Sequence, residues 1–328
     1  MLFPNNCFFI TVTVLFYKDY PYKIKYIIIF SLLQVIHFGS IIFSAIYSEG
    51  DMMNFHSDVF TLNTVDGVSF LTYDSLSKIP FIRHAFSTKL GEGTHTKHPM
   101  DMSFDHDDRD AVTENYQLFC RAAGFDYSSL VASSQDHHTF VRVCTSAEKG
   151  IGIYREKDIQ SVDGLVTIEP GLTLCTYYAD CTPLFFVDTG THAIGLAHGG
   201  WRGTVGKIAE KVVETMKESF GTDPADLVCA IGPNIRVCCY EVDEPCAKEF
   251  YALGLDSEKF VFPKDGGKYM VDMLECNRQI LVSCGVKPEN ITVSDVCTQH
   301  NSDLLWSHRA TKGDRGTMCA MLRINPDK

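Results

Sequence analysis

Two short segments of the chain carry residue types that suit metal binding or nucleophilic catalysis. The first reads ADCTP, with Cys181 at its centre, and the second reads LAHGGWRG, with His198 near its start. Cys181 precedes one predicted strand, His198 ends the next, and a tight turn joins the two strands. Hairpin pairing would therefore bring both residues to the same end of a sheet. The glycines that follow His198 leave room for a ligand or for close approach of another backbone segment.

A third candidate is His137, in the segment SQDHH. One cysteine and two histidines from separate segments form a possible three-ligand zinc set, because thiolate and imidazole suit zinc and a fourth position stays open. Zinc in such a site acts as a Lewis acid and lowers the pKa of bound water.

The same residues allow other interpretations. Cys181 could act as a nucleophile with His198 as its base, which requires no metal. Cysteine and histidine also bind copper, but the 12 histidines of this chain include no His-x-His pair, which disfavours laccase chemistry. In the simplest alternative, the two residues are an ordinary core thiol and a buried imidazole.

Arginines near these segments could bind an anion. Arg202 follows His198 closely, and Arg309 and Arg315 lie near the C-terminus, although a surface ion pair is the more common role of an arginine. The remaining cysteines, including adjacent Cys238 and Cys239, are expected to be core or surface thiols. The chain contains neither a Walker loop nor a GxGxxG fingerprint.

The elements that must position these residues alternate between strand and helix from Asn54 onward. A helix is predicted over 110–123 with Gly124 as its stop, and the stretch 130–144 has the alternation of a strand. Further strands are expected at 172–175, 183–187, 192–197 and 227–231, and helices at 244–253 and 271–284. The clearest helix follows His198, with Thr204 as its expected cap and an apolar stripe of Val205, Ile208, Val212, Met216 and Phe220. This pattern predicts one α/β domain with a mixed sheet.

Composition narrows the functional class. The 328 residues are 45% hydrophobic and 21% charged, and their formal net charge is −12. An acidic chain is a poor candidate for binding nucleic acid or anionic lipid through bulk charge. An odd number of cysteines, 13, without regular spacing favours reduced thiols and a cytoplasmic location.

The first 51 residues differ from the rest. The 22 residues from Tyr26 to Tyr47 include no Asp, Glu, Lys or Arg. This uncharged run is long enough for one membrane-spanning helix. We expect either a dispensable leader that precedes a true start at Met52 or Met53, or a membrane anchor, or a signal peptide. Residues 52–328 are expected to form the functional domain, and a membrane or secretory location would depend on 26–47 alone.

The central motifs resemble those of the YfiH, or laccase-domain, family, once labelled polyphenol oxidases and later described as purine nucleoside phosphorylases. Its hallmarks ADC-x-P and H-x-GWRG are present apart from the choice of small residues. Other segments match in order from about residue 60 to 325: HAFSTK at 84–89, DD at 107–108 with EN at 114–115, QDH at 135–137, DGLVT at 163–167, GPNI at 232–235, CYEV at 239–242, CT at 297–298 and SHR at 307–309.

The resemblance implies His137, Cys181 and His198 as zinc ligands, in a layered α/β sandwich similar to the catalytic domain of the cytotoxic necrotizing factor. It implies phosphorolysis of adenosine, inosine and methylthioadenosine, and zinc-dependent deamination of adenosine to inosine. From their place in the motifs, we expect Ser87, Lys89, Arg202 and Arg309 to bind nucleoside and phosphate.

Four positions depart from the family pattern: Lys89 replaces an arginine, His138 a glycine and His308 a tyrosine, and Arg315 lies in an altered TGR segment. These changes bear on substrate preference, since the metal trio is intact. Two other functions remain open at this point: a copper-linked oxidase of phenols and a non-catalytic regulatory binding module.

Overall fold

The computed structural model of the chain describes residues 15–17, 25–27, 55–92, 94–105 and 107–326. The chain divides into two units, Met1–Asn54 and Phe55–Lys328. In the first unit, strands β1 (Leu15–Tyr17) and β2 (Lys25–Ile27) pair in antiparallel fashion. Apart from its first two residues, the apolar run 26–47 lies outside the described residues. Within the described residues, no helix has both the length and the apolarity to cross a membrane.

Among the described residues, the second unit contains the other strands and the helices. The strands are β3 (Phe60–Val65), β4 (Val68–Tyr73), β5 (Ile82–Gly91), β6 (Leu130–Ala132), β7 (Phe140–Val143), β8 (Val162–Thr167), β9 (Thr173–Tyr178), β10 (Thr182–Asp188), β11 (Ile194–Gly199), β12 (Leu227–Ile231), β13 (Glu241–Asp243), β14 (Val261–Lys264), β15 (Lys268–Val271), β16 (Ile291–Val293) and β17 (Met318–Ile324). The helices are α1 (Asp74–Ser77), α2 (Arg109–Ala123), α3 (Trp201–Val205), α4 (Ile208–Phe220), α5 (Glu244–Tyr251), α6 (Met273–Ser283) and α7 (His308–Thr311).

Most strands belong to two six-stranded mixed sheets. Sheet A has the order β16-β12-β10-β11-β8-β7, and sheet B has the order β3-β4-β5-β17-β9-β6. The pairs β12–β16, β7–β8 and β6–β9 are parallel, and the other pairs are antiparallel. Strands β13, β15 and β14 form a small third sheet. The predicted α/β class is confirmed, with the strands divided between two large sheets.

The two large sheets pack face to face with helices outside them. The ring of Tyr73 on β4 meets that of Phe185 on β10 edge-on at 5.6 Å, and the Tyr178 hydroxyl on β9 donates to the Ala197 carbonyl on β11. On the outer face of sheet A, buried side chains of α4 and α6 such as Val212 and Ile280 form one apolar core. Helix α2 covers sheet B and forms the second core. The result is a layered α/β sandwich.

Helix α2 forms as the sequence predicts. The carboxylate of Asp108 caps its start by accepting hydrogen bonds from the backbone N–H groups of Asp110 and Ala111. Val112, Tyr116 and Phe119 form its buried stripe. Gly124 ends the helix in the left-handed conformation, with φ of 75°, which glycine adopts without steric cost.

The expected cap at Thr204 is wrong. Helix α3 begins directly after Gly200. The helical conformation is interrupted at Lys207, whose φ is 61°, and α4 begins at Ile208. Thr204 lies inside α3, where its hydroxyl accepts a hydrogen bond from Asn277 of α6 at 3.1 Å. The apolar stripe is confirmed within α4, where Ile208, Val212 and Met216 are buried and Phe220 is half-buried, but Val205 lies in α3.

Candidate metal centre

The three predicted metal ligands meet at one end of the sandwich. Cys181 directly precedes β10, and His198 lies in β11, where it pairs with Pro183. The predicted hairpin therefore places these two residues together. His137 comes from the segment 133–139, which interrupts the stretch predicted as one strand and connects β6 in sheet B with β7 in sheet A.

The three ligand groups form a compact cluster. One ligand atom of each residue lies within 4.8 Å of the others, and the two imidazole rings are 4.9 Å apart. His137 has a φ of 71°, in the left-handed region of backbone conformation that residues other than glycine rarely adopt. The cluster also needs a glycine at position 200, because a Cβ there would overlap Nδ1 of His137.

A buried carboxylate organises two of these ligands. Asp163 on β8 accepts a hydrogen bond from Nδ1 of His198 at 2.7 Å. It also accepts from the backbone N–H groups of residues 136, 137 and 138 at 3.0–3.2 Å. Because the Nδ1 proton of His198 is held by the carboxylate, Nε2 is left as the ring nitrogen for a metal.

The electrostatics of the cluster favour a thiolate. Burial by itself would raise the pKa of Cys181, but His198 and His137 lower it to about 6 through charge and hydrogen bonding. Burial opposes the charged form of His198, but Cys181 and Asp163 raise its pKa to about 9. A deprotonated thiol is the form that binds metals and attacks electrophiles.

The cluster opens into a cavity of about 820 Å³. Its lining combines aromatic rings, including Tyr178, Trp201 and Tyr240, with the guanidinium groups of Arg309 and Arg315. The lining is thus rich in charged groups as well as aromatic rings, which suits a small polar or charged ligand better than an apolar one.

Of the four residues expected to bind substrate, Arg309 lines this cavity. Ser87, Lys89 and Arg202 are not among its lining residues. Ser87 is fully buried, and its hydroxyl accepts the backbone N–H of Cys319 at 2.9 Å. The Lys89 ammonium lies 5.2 Å from the centre of the Trp306 ring, and the exposed Arg202 stacks on Trp201 at 4.3 Å. Their predicted roles stay predictions.

The sequence did not indicate the roles of two residues at the site, Asp163 and Arg315. Asp163 was visible only as part of a family motif, and nothing in its spacing indicates that its carboxylate reaches both His198 and the His137 segment. Arg315 was one of several anion-binding candidates, but it borders the cavity and, among the described residues, its buried Nε has no hydrogen-bond partner. Burial lowers the pKa of its guanidinium.

Sequence and structure comparisons agree with this architecture. Residues 83–325 match the family described as multi-copper polyphenol oxidoreductase laccase, and the chain belongs to that family. The chain is 33% identical over 217 residues to purine nucleoside phosphorylase YlmD of Bacillus subtilis, which covers 66% of this chain and 78% of that protein.

Two solved structures share the fold. The hypothetical protein YfiH of Bacillus licheniformis superposes with a TM-score of 0.75 at 29% identity, covering 81% of this chain and 99% of that one. YlmD from Geobacillus stearothermophilus superposes with a TM-score of 0.74 at 29% identity, covering 82% and 99%. The expected YfiH-type family and fold are therefore confirmed.

Proposed function

We propose that this protein is a zinc-dependent purine nucleoside phosphorylase that also deaminates adenosine. The observation that carries the proposal is that the candidate metal ligands and two arginines line the same cavity. The ligands are His137, Cys181 and His198, and the arginines are Arg309 and Arg315. Curated relatives named purine nucleoside phosphorylase support it. The substrates would be adenosine, inosine and methylthioadenosine, each with phosphate.

The donor set fits zinc. One thiolate and two imidazoles match its ligand preferences, and three protein ligands leave a position that faces the cavity. The hydrogen bond from His198 to Asp163 is the support that metal-binding histidines commonly have. Bound zinc would supply Lewis-acid chemistry at the cavity wall.

The arginines would bind phosphate. Arg315 lines the cavity, so the positive charge of its guanidinium would attract an anion bound there. Arg309 already donates to the backbone carbonyls of Cys239 and Glu241 at 3.2 Å, which fixes its guanidinium at the cavity wall. Arginine suits this role because its planar group can bind phosphate through two parallel hydrogen bonds.

The aromatic residues would hold the purine. Tyr178, Trp201 and Tyr240 line the cavity and offer ring faces for stacking. In phosphorolysis, a phosphate oxygen forms a bond to C1′ of the ribose while the bond from C1′ to the purine nitrogen breaks. The electron pair of the broken bond stays on the purine, which takes up a proton, and ribose 1-phosphate is released.

Deamination would use the same cavity without phosphate. Water would add to the ring carbon that carries the amino group, and ammonia would leave. The open position of a three-ligand zinc site supports this second activity. The family description also names copper, which the same ligands could bind, so the identity of the metal is part of the test.

The experiment uses the full-length chain purified without chelators. Adenosine is incubated with and without phosphate, products are separated by chromatography, and bound metal is measured by mass spectrometry. Cys181→Ala removes a ligand from the cluster. Cys229→Ala is the matched control, because Cys229 is a buried thiol of sheet A that does not line the cavity.

Phosphate-dependent adenine and ribose 1-phosphate, lost in Cys181→Ala and retained in Cys229→Ala, would support the phosphorylase. Inosine formed without phosphate would make deamination the main activity. Oxygen uptake with phenols and bound copper would instead identify an oxidase. A protein that binds zinc but turns over no purine nucleoside would refute the proposal and favour a binding role.

A further inference from the structure

A second group of potential metal ligands lies outside the cluster described above. It consists of Cys238, Cys239, Cys297 and His300, and we call it the Cys3His group. One ligand atom from each residue lies within 4.8 Å of the others. From the sequence, these cysteines are expected to be core or surface thiols, so the structure is the first indication that they meet.

Two turns of the chain supply these ligands in pairs. In the first turn, the N–H groups of Cys239 and Tyr240 both donate to the Arg236 carbonyl at 2.9 Å. In the second turn, the N–H of Asn301 donates to the Cys297 carbonyl at 3.0 Å, so that Cys297 and His300 have the spacing C-x-x-H. Many structural zinc sites take two ligands from each of two turns; Cys297 and His300 have the usual spacing for such a pair, whereas Cys238 and Cys239 are adjacent.

The ligand atoms are close enough together to surround one tetrahedral ion, since all lie within 4.8 Å of one another. A zinc–sulfur bond of about 2.3 Å makes each edge between ligand atoms about 3.8 Å. Sγ of Cys238 lies 3.7 Å from Nδ1 of His300, and Sγ of Cys239 lies 3.2 Å from Nε2 of the same ring. Only one ring nitrogen can bind the metal, so binding would need a small rotation of the imidazole.

Cys297 is the buried ligand of the group, and Cys239 is half-buried. Cys238 and His300 are exposed, so an ion can reach the group from solvent.

We propose that the Cys3His group binds a zinc-type divalent cation as a structural site, separate from the centre in the cavity. Four protein ligands fill the tetrahedron, so no position remains for substrate. Each cysteine would release its proton on binding, and the imidazole would bind as the neutral ring. The twelve cysteines of the described residues are all unpaired, which leaves these thiols available.

The proposed site would brace one wall of the cavity. Tyr240 follows Cys239 directly and lines the cavity, and the carbonyl of Cys239 holds Arg309. The hydroxyl of Thr298, next to Cys297, donates to the Asp180 carboxylate at 2.6 Å, beside Cys181. An ion that ties the two turns together would therefore fix the positions of Tyr240 and Arg309.

The test counts metal ions in the full-length chain by native mass spectrometry, beside Co²⁺ substitution and absorption spectroscopy. The intensity of the sulfur-to-cobalt charge-transfer band reports the number of cobalt–sulfur bonds. Variants Cys238→Ser and His300→Ala change exposed ligands of the Cys3His group, and His137→Ala changes the cavity centre. Cys246→Ser is the control, because this half-buried thiol of α5 belongs to neither group.

We expect two ions per chain, one for each group. Cys238→Ser and His300→Ala should each lose one ion while the ion at the cavity centre remains, and Cys238→Ser should weaken the charge-transfer band. His137→Ala should lose the other ion and keep most of the band. The proposal would be overturned if the chain bound a single ion and His137→Ala abolished it. It would also be overturned if Cys238→Ser and His300→Ala left the metal content and the spectra unchanged. A disulfide within the group in protein prepared without air would also overturn it, whatever the result for nucleoside turnover.

Discussion

The carboxylate of Asp163 lies 2.7 Å from Nδ1 of His198, and both residues are buried. The same carboxylate accepts hydrogen bonds from the backbone N–H groups of His137 and of the residues on either side of it, 136 and 138. One side chain on β8 thus orients a ligand in the adjacent strand and shapes the segment that carries a second ligand. Cys181 alone is positioned without it.

Asp163→Asn should weaken metal binding at the cavity centre by about 10- to 100-fold, because the neutral amide supports His198 less well and cannot accept all the backbone N–H groups. Metal affinity is measured by competition with a chromophoric chelator. Asp188→Asn is the matched control, since Asp188 is also fully buried and accepts backbone N–H groups in the β10–β11 turn. Equal effects of the two substitutions would count against a special role for Asp163.

Gly200→Ala should disrupt the position of His137, because the added Cβ would overlap Nδ1 of that ring. We expect a loss of about 1–3 kcal/mol in the free energy of unfolding and weaker metal binding. Measuring the same substitution in a His137→Ala background isolates the contact. If Gly200→Ala costs as much stability without the His137 ring as with it, the overlap is not the cause.

Arg315→Gln should raise the KM for phosphate about 10- to 100-fold, because it removes a charge-assisted hydrogen bond to the anion. The KM for nucleoside should change less. Arg323→Gln is a close control: its Nε is likewise buried without a partner among the described residues, but Arg323 packs on Phe125 away from the cavity. Phosphate kinetics that respond equally to both variants would remove Arg315 from the site.

Acid should destabilise the fold through His84. Burial lowers the pKa of His84 from 6.5 to about 4, and its Nε2 accepts the backbone N–H of Tyr73 at 2.8 Å. Between these two pH values the unfolded chain binds a proton that the folded chain does not, so the free energy of unfolding falls as the pH falls. The contribution of this residue across the window is about 3 kcal/mol.

Chemical denaturation at several pH values tests this effect. His84→Gln should flatten the decline in stability between pH 6.5 and about 4. His56→Gln, at an exposed histidine, should leave the decline unchanged. An equally steep decline in His84→Gln would assign the acid sensitivity to other groups.

Much of the site's framework follows from local sequence signals. The stop at Gly124 ends α2 as the sequence predicts, and the turn after β10 predicts the hairpin that joins Cys181 to His198. Such features depend on neighbours in the chain. The hairpin does not supply His137, which is a third candidate by its residue type and which the family motif also implies as a ligand.

The rest depends on contacts between distant segments. The stretch 130–144 alternates like one strand, but it splits because backbone groups at 136–138 bond to Asp163 on β8. Thr204 has the chemistry of a cap, but its hydroxyl bonds to Asn277 of α6 instead. The meeting of Cys238 and Cys239 with Cys297 and His300 likewise results from the packing of two separate turns.

The chain passes between the two large sheets twice at the cavity centre. The connection from β6 to β7 carries His137, and the connection from β9 to β10 carries Cys181. Two of the three ligands therefore lie in chain that joins the sheets, and the third, His198, lies in a strand of sheet A. A bound ion would link both connections to that strand, and because it would bind the folded form it would oppose their opening during unfolding.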